Sequence, residues 1–377
     1  MVSCPFVAII DVASKELHNA FLTLVRLGIG HPVEEVPQQY DWPAIKKLAG
    51  KQGLLAVVMD GVDVLSLRGV PQEYLPDRLL TMKWIGEVVS SYEHRRENYL
   101  QTISEMAEQY NSHGFKMMVV KGLACSLDWP RPEHRPCGDI DIWQFGKQKE
   151  ADKLVEGEKG IKVVSSHPHH TEFHWGGFLV ENHYDFINVH HHRSNAVFER
   201  LLKEQAAEEY SGSVEVNGQR VYLPSADLHT LFILKHLMLH FAAEGIILRQ
   251  VLDWGFHVKA HGAEIDWPWV LGVLDKFGMM PAFRIFNAIC IEDLGFEEGA
   301  FPEGQAQCDL DLKQRVLDEI LSPEFEGKVP KAVVSRLAFK LRRWKANAWK
   351  HRLCYKESMW SAFWSGVWNH LRKPASI

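Results

Sequence analysis

The sequence lacks the cysteine spacing of a disulfide framework. It has six cysteines, and no two of them form a C-x-x-C pair: Cys4, Cys125, Cys137, Cys290, Cys308 and Cys354. Isolated cysteines are typical of free thiols in a reducing compartment. The chain also has no run of about 18 consecutive apolar residues and no basic stretch ahead of its first apolar run, so neither a membrane span nor a secretory signal is predicted. We predict a soluble cytoplasmic protein.

An excess of positive charge is missing too. The formal net charge of the 377 residues is -6, which argues against a protein that binds nucleic acid mainly through electrostatics. No internal repeat or low-complexity tract is visible. The sequence does have the composition of a globular protein, with 46% hydrophobic and 24% charged residues. Its length is sufficient for two or three domains with sizeable cores.

Local patterns divide the chain into three regions. We predict an N-terminal helical region over 1–112, an α/β core over 113–222 and a C-terminal helical region over 223–377. Within the first region, Lys83–Ser112 carries apolar residues at helical spacing and contains no proline, which predicts one long helix. The last region opens with Ser225 as a helix N-cap. The predicted fold class is therefore α/β (α+β), with a small mixed sheet flanked by two helical regions.

The core contains several segments with the composition of strands. They are FKMMVVKG, GDIDIWQF, IKVVSS, EFHWGGFLVENHYDF and INVHH. Gly176 and Gly177 fall where a two-residue hairpin turn would be needed. The segment LACSL, directly after Gly122, predicts one or two turns of helix. The proline-rich stretch that follows it predicts a loop.

Two carboxylates stand one residue apart in the segment RPCGDIDIWQF, at residues 135–145. Side chains at i and i+2 of a strand point to the same face, so Asp139 and Asp141 would project together, away from Ile140 and Ile142. Like charges this close repel unless a positive charge lies between them. A divalent cation bound by oxygen ligands would satisfy the pair. A solvated pair of aspartates at the end of a strand is the alternative.

A strand ending in KG, a short helix, a loop with an arginine and then GDIDIW resemble the uncharacterised nucleotidyltransferase-like family of bacteria. This family belongs to the polymerase-β-type nucleotidyltransferase superfamily. The helical segments LKHLMLHF, LRQVLDWGFHV and IDWPWVLGVLDKFG resemble it as well, so the resemblance covers roughly residues 85–285. The positions that match its motif are Lys121, Gly122, Arg135, Gly138, Asp139, Asp141, Glu181 and His183. The fold implied is a small nucleotidyltransferase-type sheet.

The resemblance implies transfer of a nucleoside monophosphate, dependent on Mg²⁺ or Mn²⁺, from ATP or another NTP to an unknown acceptor. Such an in-line transfer requires charge neutralisation and alignment, which metal ions held by several carboxylates provide. Asp139, Asp141 and Glu181 would be the catalytic, metal-binding residues. The implied nucleotide-binding residues are Lys121, Gly122, Arg135, Gly138 and His183.

Other assignments stay open for several of these residues. Asp185 and then Glu172 are the next candidates for the third metal carboxylate after Glu181. Arg135 could pair with Glu133 inside the loop in place of binding phosphate. Polymerase-β-like enzymes usually have glycine–serine where this chain has lysine–glycine, and this departure slightly favours a non-catalytic nucleotide-binding protein of the same fold.

Histidines are concentrated in one part of the core. Eight of the twenty lie between His167 and His192, which keeps a histidine-ligated metallohydrolase as a further alternative. No H-E-x-x-H motif supports it. His236 and His240 lie four residues apart on a predicted helix and share a face. We expect them, with Asp253, to belong to a helical region that closes over the site.

The C-terminal tail combines basic residues with five tryptophans, at positions 344, 349, 360, 364 and 368. Several of its aromatic residues follow helical spacing. Such a stripe suits peripheral contact with a membrane surface or with another subunit. It also suits packing onto the protein's own helices, which is the interpretation we prefer.

Overall fold

Helices make up the N-terminal part of the protein. The computed structural model describes residues 5–167, 169–189, 192–324 and 333–360. The first five are α1 (Pro5–Gly28), α2 (Trp42–Lys51), α3 (Leu55–Leu67), α4 (Arg78–Val88) and α5 (His94–Ser112). The turn Val89–Glu93 between α4 and α5 is a π-helix, so the chain stays helical from one to the other. The long helix predicted over Lys83–Ser112 is therefore present, but it starts at Arg78 and carries a π-bulge.

A mixed sheet follows the helices. Its strands are β1 (Met118–Val119), β2 (Ile140–Trp143), β3 (His170–Trp175), β4 (Phe178–His183), β5 (Gly212–Val216) and β6 (Gln219–Leu223). Their order across the sheet is β3-β4-β2-β1-β6-β5. β2 runs parallel to β4, and β1 parallel to β6, whereas the other neighbouring pairs are antiparallel. The predicted mixed α/β fold is confirmed, and the hairpin turn at Gly176–Gly177 lies where it was expected.

The remaining helices lie between and after the strands. They are α6 (Leu123–Leu127), α7 (Gln148–Lys159), α8 (Arg193–Gln205), α9 (Ala226–Ala243), α10 (Leu248–His261), α11 (Trp267–Phe277), α12 (Met280–Ala288), α13 (Leu310–Leu321), α14 (Val333–Ala346) and α15 (Ala348–Cys354). Ser225 caps α9 as predicted, because its side chain accepts a hydrogen bond from the backbone N–H of Leu228. No helix in the described ranges is long and apolar enough to cross a membrane.

Three strand assignments differ from the sequence prediction. Residues 187–189 of the segment INVHH lie outside any strand, and residues 190–191 lie outside the described residues. The segment IKVVSS contributes only an isolated bridge between Val164 and Glu172. The hairpin β5–β6 was not predicted. β5 is an edge strand, and most of its side chains are exposed or half-buried, so it lacks a clear apolar alternation.

The two faces of the sheet contact different cores. Ile140 and Ile142 point toward a cluster that includes Tyr99 and Ile103 of α5. Met118 of β1 belongs to a larger cluster that joins the N-terminal helices to α9 and the helices after it. Because side chains alternate along a strand, Asp141 lies on the face opposite Ile140 and Ile142. The functional face of the sheet is therefore the one that faces α9.

One tryptophan of the C-terminal part, Trp349, packs onto the protein's own helices, whereas Trp360 is 61% exposed. The ring of Trp349 lies edge-on to Phe241 of α9, with centroids 5.8 Å apart, and the guanidinium of Arg315 lies 4.1 Å from its centroid. Trp344 packs against Trp360 with centroids 5.2 Å apart. The predicted stripe beyond residue 360, with tryptophans at 364 and 368, lies outside the described residues.

A buried glutamate of α8 fixes the chain that leaves β4. The carboxylate of Glu199 accepts hydrogen bonds from the backbone N–H groups of Phe186 and Ile187. Burial raises the pKa of Glu199 to about 7. Since this lies above the ordinary glutamate pKa, its contribution to stability is fully present below about pH 4.5 and is lost as the pH rises through about 7.

We expect Glu199→Gln to remove this part of the pH dependence. Between pH 4.5 and 8 the wild type should lose about 3 kcal/mol of unfolding free energy relative to the variant. Urea unfolding at both pH values measures this difference. Glu204→Gln, at an exposed position of the same helix, is the control. Equal pH dependence in wild type and Glu199→Gln would show that the buried carboxyl does not titrate in this range.

Candidate active site

Three carboxylates converge at the start of β2. Asp141 is in register with Glu181 on the neighbouring parallel strand β4, and Asp139 lies one residue before β2. Adjacent strands are about 4.8 Å apart, which brings residues in register close together. One oxygen from each of Asp139, Asp141 and Glu181 lies within 4.8 Å of the others. The structure thus brings together the three residues for which the sequence predicted a metal-binding role.

The two reserve candidates for the third carboxylate have other partners. Glu172 of β3 lies directly opposite Glu181, but its Oε1 is 3.2 Å from Nε2 of both His167 and His170. Asp185 lies beyond the end of β4 and pairs with Lys203. Neither belongs to the cluster around Asp141, so Glu181 is the third member by position.

Two basic groups balance the carboxylates. Nζ of Lys121 lies 3.8 Å from Oδ2 of Asp141. Nε2 of His183 lies 3.3 Å from Oδ1 of Asp141 and 3.4 Å from Oε2 of Glu181. Burial would raise the pKa of Asp141, but Lys121 and His183 outweigh it and hold this pKa below its usual range. Burial would lower the pKa of His183, but hydrogen bonds to the two carboxylates raise it to about 9.

Helix α9 supplies the other wall of the site. His236 and His240 lie one turn apart, with ring centroids 4.3 Å apart. Burial and the charge of Lys121 both lower the pKa values of these histidines, whereas Asp141 raises them. Both rings are thus close enough to Lys121 and Asp141 for the charges of these residues to affect them. That the pair lines the cleft stays a prediction.

Arg135 forms a buried ion pair, whereas the sequence predicted that it binds phosphate. Its side chain is 2% exposed, and Nε and Nη2 donate to the two carboxylate oxygens of Asp253 at 2.7 and 3.0 Å. Nη1 donates to the carbonyl of Gly122 at 3.2 Å. Arg135 does not form the alternative pair with Glu133. The arginine that contacts Glu133 is Arg131. Arg135 is thus engaged in joining the loop before β2 to α10.

Gly122 is held in a backbone conformation that other residues rarely adopt, with φ +49° and ψ −93°. A Cβ atom at this position would lie 2.0 Å from the phenolic oxygen of Tyr99. That hydroxyl donates a hydrogen bond of 3.4 Å to the carbonyl of Asp139. Gly138, in contrast, has open space where a Cβ would be. The sequence offered no signal for Tyr99, whose role depends on contacts distant along the chain.

Further contacts fix the loop between α6 and β2. Nε of Arg95 on α5 donates to the carbonyl of Cys137 at 2.8 Å. Nδ1 of His134 lies 2.6 Å from Oδ2 of Asp60 on α3. With the Arg135–Asp253 pair, these bonds connect the loop to helices from both ends of the chain. The position of Asp139 at the end of this loop is therefore determined by the whole fold.

The sequence is similar to one known protein family over most of its length. The model of the uncharacterised nucleotidyltransferase family matches residues 38–292. The chain belongs to this family. A solved structure of an antigenic nucleotidyltransferase-like protein from Paracoccidioides brasiliensis is 17% identical, with a TM-score of 0.31, over 44% of this chain and 77% of its own. No curated protein matches the sequence.

Membership of the uncharacterised nucleotidyltransferase family makes a transferase the coarse functional class, and a nucleotide its substrate class. The carboxylate cluster fits the divalent cations on which nucleotidyltransferases generally depend. Its three members offer only oxygen donors, which suit Mg²⁺ or Mn²⁺ better than softer metals. The fit rests on the donor type and on the mutual distances of Asp139, Asp141 and Glu181.

The histidine-rich segment of this family member lies beside the carboxylates. His170 contacts Glu172, and its Nδ1 lies 3.8 Å from Oε2 of Glu181. Two overlapping groups of potential metal ligands result, His167–His170–Glu172 and His170–Glu181–His183. The clustering predicted for this segment thus extends to the active-site strand β4, although residues 190–191 lie outside the described part of the chain.

Proposed function

We propose that this protein transfers a nucleoside monophosphate from an NTP to an acceptor, with Mg²⁺ or Mn²⁺ held by Asp139, Asp141 and Glu181. The observation that supports this most strongly is the convergence of these carboxylates from two strands of the sheet. The family match supports the same chemistry independently. Because the site is built on adjacent strands, its donors are held in fixed positions.

The reaction we infer is an in-line displacement at the α-phosphorus. The acceptor oxygen forms a bond to this phosphorus, the bond to the bridging oxygen breaks, and pyrophosphate leaves. Asp139 is the more accessible member of the Asp139–Asp141 pair. We propose that its carboxylate accepts the proton of the acceptor hydroxyl. Asp139, Asp141 and Glu181 would hold the metal, which would supply positive charge for the phosphate oxygens.

Lys121 and His183 would support nucleotide binding in different ways. Lys121 is 23% exposed on its side chain and ends 3.8 Å from Asp141, so its ammonium can bind a phosphate oxygen as a point charge. His183 contacts both Asp141 and Glu181 and would fix the orientation of these carboxylates. Gly138 has open space where a side chain would be and would leave room for the triphosphate, whereas the corresponding space at Gly122 is filled by Tyr99.

The experiment that tests the proposal is calorimetric titration with each of the four NTPs, with and without Mg²⁺. We expect Mg²⁺-dependent binding in the wild type, weakened about 100-fold or more in Asp139→Asn/Asp141→Asn, because metal contacts to phosphate are worth several kcal/mol. Asp185→Asn is the matched control, since this carboxylate pairs with Lys203 away from the cluster. Unchanged binding in the double variant would overturn the proposal.

A non-catalytic nucleotide-binding protein of the same fold would give the same titration result. Pyrophosphate release in the presence of candidate acceptors separates it from an enzyme. The metallohydrolase alternative is favoured only by the two histidine groups beside Glu181. Zinc bound by His167 and His170, and hydrolysis that depends on it, would support that alternative.

A further inference from the structure

A second group of metal-ligating side chains lies apart from the carboxylate cluster. Asp128 directly follows α6, and His257 and His261 lie one turn apart on α10. Oδ1 of Asp128 is 3.0 Å from Nε2 of His261, and Oδ2 is 3.6 Å from Nδ1 of His257. One donor atom from each residue lies within 4.8 Å of the others.

The buried donors of this group contact each other only at long range. Nδ1 of His257 and Oδ2 of Asp128 are both enclosed, and they face each other as a long ion pair across 3.6 Å. His257 as a whole is 1% exposed. At this separation one cation could lie between the two atoms and contact both.

The second nitrogen of His257 is already oriented by the protein. Its Nε2 lies 2.9 Å from Oγ1 of Thr230 on α9. Metal-binding histidines typically bond a neighbour through the ring nitrogen that does not bind the metal, which fixes the ring. Thr230 supplies this partner and leaves Nδ1 directed at Asp128.

The spacing of the donors suits zinc. Tetrahedral Zn²⁺ with nitrogen and oxygen ligands at 2.0–2.2 Å holds its donors about 3.4 Å apart. Asp128 contacts His261 through Oδ1 at 3.0 Å and His257 through Oδ2 at 3.6 Å. One donor atom from each of the three residues lies within 4.8 Å of the others, so small side-chain movements bring the group to this spacing. His261 is 34% exposed on its side chain, so the group opens to solvent there. This opening provides an entry path and a fourth position for water.

We propose that Asp128, His257 and His261 bind one Zn²⁺ or a chemically similar divalent transition metal. The ion would join the loop after α6 to helix α10. That helix also carries Asp253, which binds Arg135 in the same loop. The metal would therefore stabilise the connection that positions the start of β2, independently of nucleotide chemistry.

Zinc titration of the full-length, metal-stripped protein tests the proposal. We expect one tight site in the wild type, a visible d–d absorption band of tetrahedral Co²⁺ on substitution, and a rise in melting temperature on adding Zn²⁺. His261→Gln and Asp128→Asn should each weaken this site about 100-fold or more. His113→Gln, at a partly exposed histidine that pairs with Glu158, is the control and should bind as the wild type does.

Three results would overturn the proposal. One is the absence of a tight zinc site in the wild type. Another is zinc binding of equal stoichiometry and affinity in wild type, His261→Gln and Asp128→Asn. The third is a tight site lost only in His167→Gln/His170→Gln, which would place the ion beside β3. Failure of NTP binding would leave the zinc result unaffected, because the readouts are metal affinity, the Co²⁺ spectrum and melting temperature.

Discussion

Asp253→Asn is expected to destabilise the protein by about 3–5 kcal/mol, since it leaves the buried guanidinium of Arg135 without a charged partner. Both members of the pair are almost fully enclosed, with side chains 2% and 8% exposed. Asp253 also accepts a hydrogen bond from Nε1 of Trp129 at 2.9 Å. Asparagine can keep that bond, so the loss measures mainly the missing charge.

A double-mutant cycle separates the pair from its surroundings. Arg135→Met leaves Asp253 as an unpaired buried carboxylate, and we expect a loss similar to that of Asp253→Asn. Arg135→Met/Asp253→Asn removes both charges and should be less destabilised than the sum of the single variants by about 2 kcal/mol or more. Urea unfolding measures all three.

A surface pair provides the comparison for this cycle. Lys116 and Glu208 form a solvent-exposed ion pair, with side chains 43% and 47% exposed. Glu208→Gln should therefore change the stability of the protein little. Additive losses in the Arg135 and Asp253 variants would contradict a coupled buried pair.

The central part of the site could be predicted because its signal is local. Alternation along one strand is sufficient to put Asp139 and Asp141 on one face, with the two isoleucines on the other. Adding Glu181 required only the family motif and a neighbouring strand. The same alternation places the apolar side of β2 against α5. Local periodicity therefore placed the two aspartates, and the family resemblance supplied Glu181 and the nucleotidyltransferase-type sheet.

The role of Arg135 could not be predicted in the same way. Its partner Asp253 is 118 residues away in the chain, and no local pattern connects the two. The hairpin β5–β6 was missed for another reason, because an edge strand with a largely exposed side has little apolar alternation. Contacts between distant segments and weakly patterned edges are decided by tertiary packing, which a single sequence does not display.

Gly122→Ala is expected to disrupt the site at the turn between β1 and α6. The new methyl group would lie 2.0 Å from the phenolic oxygen of Tyr99, at a residue with φ +49°. Steric overlap and the strained backbone together should cost about 2–5 kcal/mol. The hydroxyl of Tyr99 also donates a hydrogen bond to the backbone carbonyl of Asp139. Displacement of Tyr99 should therefore move Asp139, including its side-chain carboxylate, and weaken Mg²⁺-dependent NTP binding. Thermal unfolding and calorimetry measure the two effects.

Gly138→Ala is the matched control for this substitution, since no heavy atom lies within 4 Å of the added methyl group and Gly138 is not among the glycines with positive φ. We expect it to keep near wild-type stability. Tyr99→Phe removes the oxygen that the methyl group would meet, so Gly122→Ala/Tyr99→Phe should recover part of the lost stability. Recovery would show that the contact with Tyr99 requires glycine here. No recovery would assign the loss to the strained backbone together with the remaining ring carbon Cζ, which lies 3.1 Å from the added methyl group.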